Sequence, residues 1–177
     1  TNSVIATRMG MSLSEYTVTE AGFGADLGAE KFLDIKCQSA GISPKAIVLT
    51  TTIRALKYHG GADLKNLTEE NTEALKKGLP NLEKHIENVK QFGITPVIAI
   101  NKFISDSDAE VAIIYEFAKS QNTRVALAEV WAKGGKGALK LAQHVIDIVD
   151  ENNANFTPMF FKYQKCVVYF SFTFFKI

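Results

Sequence analysis

Residues 46–51, AIVLTT, are the clearest indication of the fold of this chain, because all six residues in a row are apolar or β-branched. Such a run is typical of a strand that is buried on both faces of a parallel sheet. Further strands are predicted at residues 95–100 (TPVIAI) and 124–130 (RVALAEV), which are also rich in apolar residues. An earlier segment, residues 15–19, is predicted to form the first strand of the set.

Segments with the spacing of amphipathic helices separate these strands. Strand and helix alternate, and the connections are too long for hairpins, so the chain is predicted to be α/β, with a mostly parallel sheet and helices on both faces. The helices are predicted at residues 2–14 and 29–39, from Thr68 with a break or bend at Gly78 and Pro80, from a capping box at Ser107, and after residue 137.

Ligands of such sheets collect beyond the carboxyl ends of the strands. Four segments follow the four predicted strands and are therefore expected to meet at that edge: residues 20–28, 52–61, 101–106 and 131–137.

Two of these segments are rich in glycine. The first, within residues 19–32 (TEAGFGADLGAEKF), is not a G-x-G-x-x-G motif, because residue 27 is leucine. Its amides could bind an anion at the start of the following helix, and an ordinary strand-to-helix connection explains it equally well. The second could shape a phosphate or glutamate-tail site with its backbone amides, or could simply be a tight turn. The glycines concerned are Gly22, Gly24, Gly28, Gly134, Gly135 and Gly137.

Phe103 and Trp131 follow neighbouring predicted strands, so the two rings could form a slot for a flat heterocycle. The alternative is that both rings belong to the core or to a lid. The Asn101-Lys102 pair invites comparison with the guanine-binding motif N-K-x-D, but residue 104 is isoleucine and the required carboxylate is missing.

Arg54, Lys57 and His59 form a basic cluster after the strand at residues 46–51. They could attract an anionic ligand, and a solvated face or an inter-domain contact would explain them as well.

The composition is that of an ordinary globular protein, with 46% hydrophobic and 22% charged residues and a net charge of +1. No basic stripe indicates nucleic-acid binding, and the apolar residues near the end of the sequence are too few for a membrane span. Cys37 and Cys166 lie far apart without a metal-binding spacing. We therefore expect reduced thiols in the cytoplasm and no metal site.

Four strings resemble, in the same order, those of formate–tetrahydrofolate ligases: residues 19–37, 52–61, 78–82 and 131–138. The resemblance covers residues 1–159 and implies a P-loop-NTPase-like architecture and an ATP-dependent ligase of one-carbon metabolism. Such a ligase joins formate to tetrahydrofolate through formyl phosphate and gives 10-formyltetrahydrofolate, ADP and phosphate. The resemblance further implies ATP, Mg²⁺ and a monovalent cation as cofactors, a cytoplasmic location and self-association of the intact protein.

The resemblance also assigns residues to a folate site. In the family the pterin ring lies between two aromatic residues whose positions match Phe103 and Trp131, and Leu127 and Phe23 match further positions of the pocket. The residue after the first aromatic is commonly proline in the family and is Ile104 here, which we expect to affect the rigidity of the loop more than the stacking. The basic cluster could then contact formyl phosphate or the folate carboxylates.

The family places its Gly-Lys-Ser/Thr phosphate loop upstream of the matching region, and this sequence lacks a counterpart. We therefore expect an internal, C-terminally truncated fragment that carries the folate wall, with the catalytic residues upstream of Thr1. Residues 160–177 are expected to be a non-homologous aromatic tail, frameshifted or disordered, because seven of the twelve phenylalanines fall in residues 156–177. The alternative function is that of an inactive remnant without binding activity.

Overall fold

The computed structural model of the chain describes residues 3–160. The tail predicted at residues 160–177 therefore lies, except for Phe160, outside the described residues. The boundary predicted at residue 159 stays a prediction.

Helices and three short strands alternate along the described chain. Helix α1 is Val4–Leu13, and helix α2 begins with Ala25–Glu30, continues as a π-helix over Lys31–Cys37 and ends with Gln38–Ala40. The remaining elements are β1 (Val48–Thr51), α3 (Ile53–His59), α4 (Thr72–Lys90), β2 (Val97–Asn101), α5 (Asp108–Ser120), β3 (Val125–Ala128), α6 (Val130–Lys133) and α7 (Leu139–Glu151), with 3-10 turns at Leu64–Asn66 and Gly134–Ala138.

The three strands form one parallel sheet in the order β1-β2-β3. Thr51 of β1 pairs with Ile100 of β2, and Ile100 pairs with Leu127 of β3. Every residue of β2 from Val97 to Ile100 is buried, as expected for a central strand covered on both faces. The main core combines the strands with α3, α4 and α5 through Leu49, Ile53, Leu56, Leu75, Ile86, Ile98, Ile100 and Ile114. The predicted α/β fold with a parallel sheet is confirmed.

The prediction of a strand at residues 15–19 is wrong for this structure. The segment forms no ladder with the described sheet, and the side chain of Val18 is 92% exposed. A strand needs a neighbour for its backbone hydrogen bonds and cover for one face, and residues 15–19 find neither.

Strand β1 differs from its prediction as well. Its residues alternate between exposed and buried, with Val48 and Thr50 exposed and Leu49 and Thr51 buried. The strand lies at one edge of the sheet, and one of its faces is not covered by the described residues. The apolar run therefore identified a strand but not how much of it is buried.

Residues 52–61 were expected as a connection and are mostly helical instead. Helix α3 begins directly after Thr52, whose hydroxyl accepts a hydrogen bond from the Ala55 amide at 3.1 Å. This N-cap satisfies one of the backbone amides that a helix leaves free at its start. The basic cluster at these positions is consequently carried on a helix that packs into the core.

Helix α4 begins at Thr72 rather than Thr68, because Asn71 caps it through a bond from the Ala74 amide at 2.9 Å. The helix then runs through Gly78 and Pro80 without the predicted break. Gly78 faces α3, and a Cβ at this position would overlap the carbonyl oxygen of Leu56. The close packing of α3 on α4 holds the helix together across its proline, although proline removes a backbone hydrogen bond.

Candidate functional site

The candidate site lies at the carboxyl edge of the sheet, where β2 and β3 end side by side. Asn101 of β2 pairs with Ala128 of β3. Phe103 therefore lies two residues beyond the end of one strand, and Trp131 lies three residues beyond the paired residue of its neighbour. The side chain of Phe103 is 39% exposed and that of Trp131 is 83% exposed. The structure thus places both aromatic residues beyond the ends of neighbouring strands.

A tight turn over residues 103–106, which we call the Phe103 turn, fixes the backbone of Phe103. Its amide donates a hydrogen bond to Oδ2 of Asp106 at 2.8 Å, and the amide of Asp106 donates to the carbonyl of Phe103 at 3.1 Å. Asp106 is itself buried. The turn leads directly into the capping box of Ser107 and Glu110 that starts α5, as the sequence predicted.

Arg54 of α3 reaches across to this turn. Its guanidinium lies over the ring of Phe103, 4.2 Å from the centroid, and its Nη2 donates a hydrogen bond to Oγ of Ser105 at 3.0 Å. Two polar atoms at this place are buried without a hydrogen-bond partner within residues 3–160, namely Nε of Arg54 and Oδ1 of Asp106. Such atoms in a native structure call for an explanation, which a bound ligand or water can supply.

Lys57 has a different role from the predicted contact with an anionic ligand. Its side chain is fully buried, and its Nζ lies 2.8 Å from Oε1 of Glu110 and donates to the carbonyl of Glu69 at 2.7 Å. Its charge is therefore matched inside the protein. The missed signal is the spacing of Ile53, Leu56 and Lys57, which lie on one face of α3 once that segment is recognised as a helix.

Glu110 is the centre of this buried network. Besides Lys57, it accepts hydrogen bonds from the backbone amides of Asn71 at 3.0 Å and Ser107 at 3.1 Å. Burial acts to raise the pKa of this carboxyl, but the bonds from the Asn71 amide, from Lys57 and from the Ser107 amide outweigh it and lower the pKa below its ordinary value of 4.5. The carboxylate is thus held ionised and joins α3, α4 and α5.

His59 is the exposed member of the basic cluster. It ends α3, and its ring lies beside that of Tyr58, with the centroids 6.0 Å apart. The predicted cluster is therefore divided among three environments: Arg54 contacts the Phe103 turn, Lys57 is in the core, and His59 is at the surface.

Trp131 belongs to the short helix α6, and the second glycine segment follows it as a 3-10 turn. Gly134 has a φ of 57°, a conformation that favours glycine. The amide of Glu129 donates to the carbonyl of Gly137 at 3.0 Å, and a Cβ on Gly137 would overlap the backbone of Glu129. Gly135 has open space around it. The backbone conformation that follows Trp131 thus favours glycine at positions 134 and 137.

Leu127 is the residue of β3 that pairs with Ile100 in the sheet. Its side chain is partly buried and packs against the main core. It lies four residues before Trp131 on the strand that leads to the carboxyl edge.

Phe23 and the first glycine segment lie elsewhere, which corrects the expected position of residues 20–28. Ala25 and Asp26 border a cavity of about 200 Å³ together with Asn88 and Val89 from the last turn of α4. Because α4 leads into the amino end of β2, this is the opposite side from Phe103 and Trp131. The reason is the missing strand at residues 15–19, which would have led the chain to the carboxyl edge.

The segment itself is built from close backbone contacts. Phe23 has a φ of 62°, and its ring is 86% exposed with the ammonium of Lys31 4.9 Å from its centroid. Gly28 is buried inside α2, where a Cβ would overlap the carbonyl of Gly22. Gly28 is therefore a helix-packing residue here rather than part of a loop.

A larger cavity of about 780 Å³ opens at the amino ends of β2 and β3, between α5 and α7. None of the predicted site residues lines it. Its charged and aromatic lining consists of Lys45, Tyr115, Glu116, Lys119, Arg124, Lys140, His144 and Glu151.

Over the described part of the chain, no group of three or more histidine, cysteine, aspartate or glutamate residues is arranged to hold a metal ion. Among the helices of residues 3–160, none has the length and apolar character needed to cross a membrane.

Comparison with known proteins relates the whole pattern to one family. The family model described as formate–tetrahydrofolate ligase matches residues 1–167. Similar relatives are the proteins named formate–tetrahydrofolate ligase from Staphylococcus aureus strains NCTC 8325 / PS 47, MSSA476 and MRSA252, each 54% identical over 159 residues. The matches cover 90% of this chain and 28% of each relative, so the chain spans little more than a quarter of the length of the relatives it matches. The chain belongs to the formate–tetrahydrofolate ligase family.

Proposed function

We propose that this chain supplies the folate-binding wall of a formate–tetrahydrofolate ligase, an enzyme that uses ATP to join formate to tetrahydrofolate. The observation that carries the proposal is the placement of Phe103 and Trp131 beyond the ends of paired parallel strands. The family relation indicates tetrahydrofolate as the ligand. Both rings are exposed, so a flat ligand can stack on them.

The pterin of tetrahydrofolate is a flat heterocycle that stacks on aromatic rings. We assign Phe103 to one face of the pterin ring and Trp131 to the other face. Offset stacking on an aromatic partner contributes about 0.5–1.5 kcal/mol to the binding free energy beyond the burial of apolar area. Leu127, on the strand that leads to Trp131, is assigned to the apolar floor of the same pocket. Phe103 is already held by its turn, so binding orders little of it.

The polar end of the ligand is assigned to the second glycine segment. Backbone amides of a glycine-rich turn suit the carboxylates of the glutamate tail. The amide of Gly134 donates to the carbonyl of Val130, and the open space around Gly135 leaves room for the tail there. Phe23 is assigned to the pocket by its family position alone. This assignment requires the segment with Gly22 and Gly24 to approach the carboxyl edge, whereas Gly28 serves the packing of α2.

ATP and Mg²⁺ do not fit the residues of this chain. The sequence contains no Gly-Lys-Ser/Thr loop, and no group of three or more histidine, cysteine, aspartate or glutamate residues is placed to hold a metal ion among residues 3–160. We therefore assign phosphate activation, with its Mg²⁺ and any monovalent cation, to other parts of a family member, and we derive no phosphoryl-transfer step on this chain. The proposal also includes a cytoplasmic location, self-association of the intact protein, and no binding of nucleic acid or membrane.

The test is a titration with tetrahydrofolate, followed by the fluorescence of Trp131, the single tryptophan of the chain. We expect saturable quenching, and we expect Phe103→Ala to raise the dissociation constant about 2–13-fold, the equivalent of one lost stacking contact. Tyr16→Ala, at an exposed aromatic residue outside the site, is the matched control. A folded chain without saturable quenching, or a Phe103→Ala variant that binds like the parent, would overturn the proposal.

A further inference from the structure

We propose that Arg54 is a positioning residue for Phe103: it covers one face of the ring and leaves the other face to the ligand. This inference rests on the proposed function. It assigns Arg54 to the aromatic wall instead of to an anionic group of the substrate.

The contact between Arg54 and Phe103 has the geometry of a cation–π interaction. The guanidinium lies 4.2 Å from the ring centroid, well inside the roughly 6 Å within which a cation is attracted by the face of an aromatic ring. A planar guanidinium can also stack on the ring, which an ammonium cannot do. The face of Phe103 that meets Arg54 is thereby closed to any other flat group.

Both residues are also held by hydrogen bonds of their own. Arg54 lies in the first turn of α3, which Thr52 caps, and its Nη2 is bonded to Ser105 inside the Phe103 turn. The backbone of Phe103 is held by the bond from its amide to Asp106. Guanidinium, ring and turn are therefore connected before any ligand arrives.

The Nε of Arg54 is buried and has no hydrogen-bond partner within residues 3–160. Leaving a buried donor unpaired is costly, so hydrogen bonding alone does not account for the position of this side chain. The contact of the guanidinium with the ring of Phe103 provides a compensating attraction.

The consequence for binding is preorganisation. A ring that is already fixed loses little conformational freedom when a pterin stacks on its free face. Without Arg54, the ring would sample more orientations, and binding would have to select one of them.

The first experiment observes the contact without any ligand. In NMR spectra of the chain labelled with nitrogen-15, the Nε proton of Arg54 should be shifted upfield by the ring of Phe103, and Phe103→Leu should remove that shift. An unshifted signal in the parent chain would overturn the inference, whatever the chain binds.

The second experiment measures tetrahydrofolate binding by the quenching of Trp131. Arg54→Met keeps a long side chain but removes the charge and the bond to Ser105, and we expect binding up to about tenfold weaker, because the ring of Phe103 is then no longer preorganised. Arg54→Lys keeps the charge and should recover part of the loss. Arg8→Met is the matched control, because Arg8 bonds the carbonyl of Ala40 at the end of α2, and circular dichroism establishes that each variant is folded.

The outcomes separate this inference from the proposed function. Weakened binding in Phe103→Ala together with parental binding in Arg54→Met would leave the folate site intact and overturn the role of Arg54. Absence of binding in the folded parent chain would overturn the proposed function, and the ligand-related part of this inference with it.

Discussion

At the scale of single residues, the chain contains both a buried and an exposed ion pair. Lys57 and Glu110 form an ion pair with both side chains fully buried, whereas Lys84 and Glu87 form a pair at 3.0 Å with both side chains more than half exposed. Both charges of a buried pair are removed from water, so the loss of one partner leaves the other charge buried without compensation. An exposed pair contributes little to the free energy of unfolding.

Replacement of one buried partner should therefore be severe. We expect Lys57→Met to lower the free energy of unfolding by about 3–5 kcal/mol, since it leaves the carboxylate of Glu110 buried and unpaired. The exposed counterpart Lys84→Met should change it by less than about 1 kcal/mol. Urea denaturation of both variants measures the difference, and equal effects would contradict the account.

The lowered pKa of Glu110 leads us to predict how the free energy of unfolding changes in acid. Its folded-state pKa lies below the ordinary 4.5, so the unfolded chain binds the proton more readily. The resulting stabilisation is present above pH 4.5 and is lost as the pH falls through the folded-state pKa. The free energy of unfolding should therefore decline in this acid range in the parent chain and decline less in Glu110→Gln. Glu87→Gln serves as the control, and a parental pH profile in Glu110→Gln would count against the network.

Part of the candidate site could be predicted from the sequence at this scale. Phe103 and Trp131 were found because each follows a recognisable strand, and strand ends are fixed by short local patterns. The environments of Arg54 and Lys57 could not be found, because residues 52–61 read as a connection. Both depend on contacts with α5 and the Phe103 turn, which are far away in the sequence.

At the scale of elements, the crossing of α3 and α4 positions the site. The two helices meet at glycines from both sides, since a Cβ on Gly60 would overlap the carbonyl of Ala74 and one on Gly78 would overlap that of Leu56. This close approach fixes α3, and with it Arg54, against the sheet.

Gly78→Ala tests the crossing. In an exposed helix this change would stabilise by about 1 kcal/mol, but here the methyl group meets backbone that cannot move aside. We expect a loss of about 1–3 kcal/mol, as for overpacked cores. Gly135→Ala, with open space around it, is the control. Thermal unfolding measures both, and a Gly78→Ala variant as stable as the parent would show that the helices do not pack this closely.

The elements themselves were predictable where their signals are local. The capping box of α5 and the apolar runs of β2 and β3 are such signals, and the structure contains all three elements. Residues 15–19 show the limit of prediction from local patterns. A strand forms only beside a partner strand, and the local sequence does not identify that partner. The start of α4 shows another limit, since threonine and asparagine are both residue types that cap helices and the structure uses Asn71 instead of Thr68.

At the scale of the molecule, the two ends of the sheet differ. The carboxyl edge carries Phe103 and Trp131, and the amino end carries the cavity of about 780 Å³ lined by charged residues. In open parallel sheets, ligands bind at the carboxyl ends, and the proposed folate site lies at that edge. The size of a cavity therefore does not decide the site here.

The most direct test of this account maps the ligand onto the sheet. Backbone amide shifts of the chain labelled with nitrogen-15 should be recorded with increasing tetrahydrofolate. We predict the largest changes at residues 101–106 and 129–137, and small changes at residues 93–96 and 115–124, which border the amino-end cavity. The largest changes at the cavity, or no localised change in a folded chain, would contradict the assignment of a folate-binding wall at the carboxyl edge.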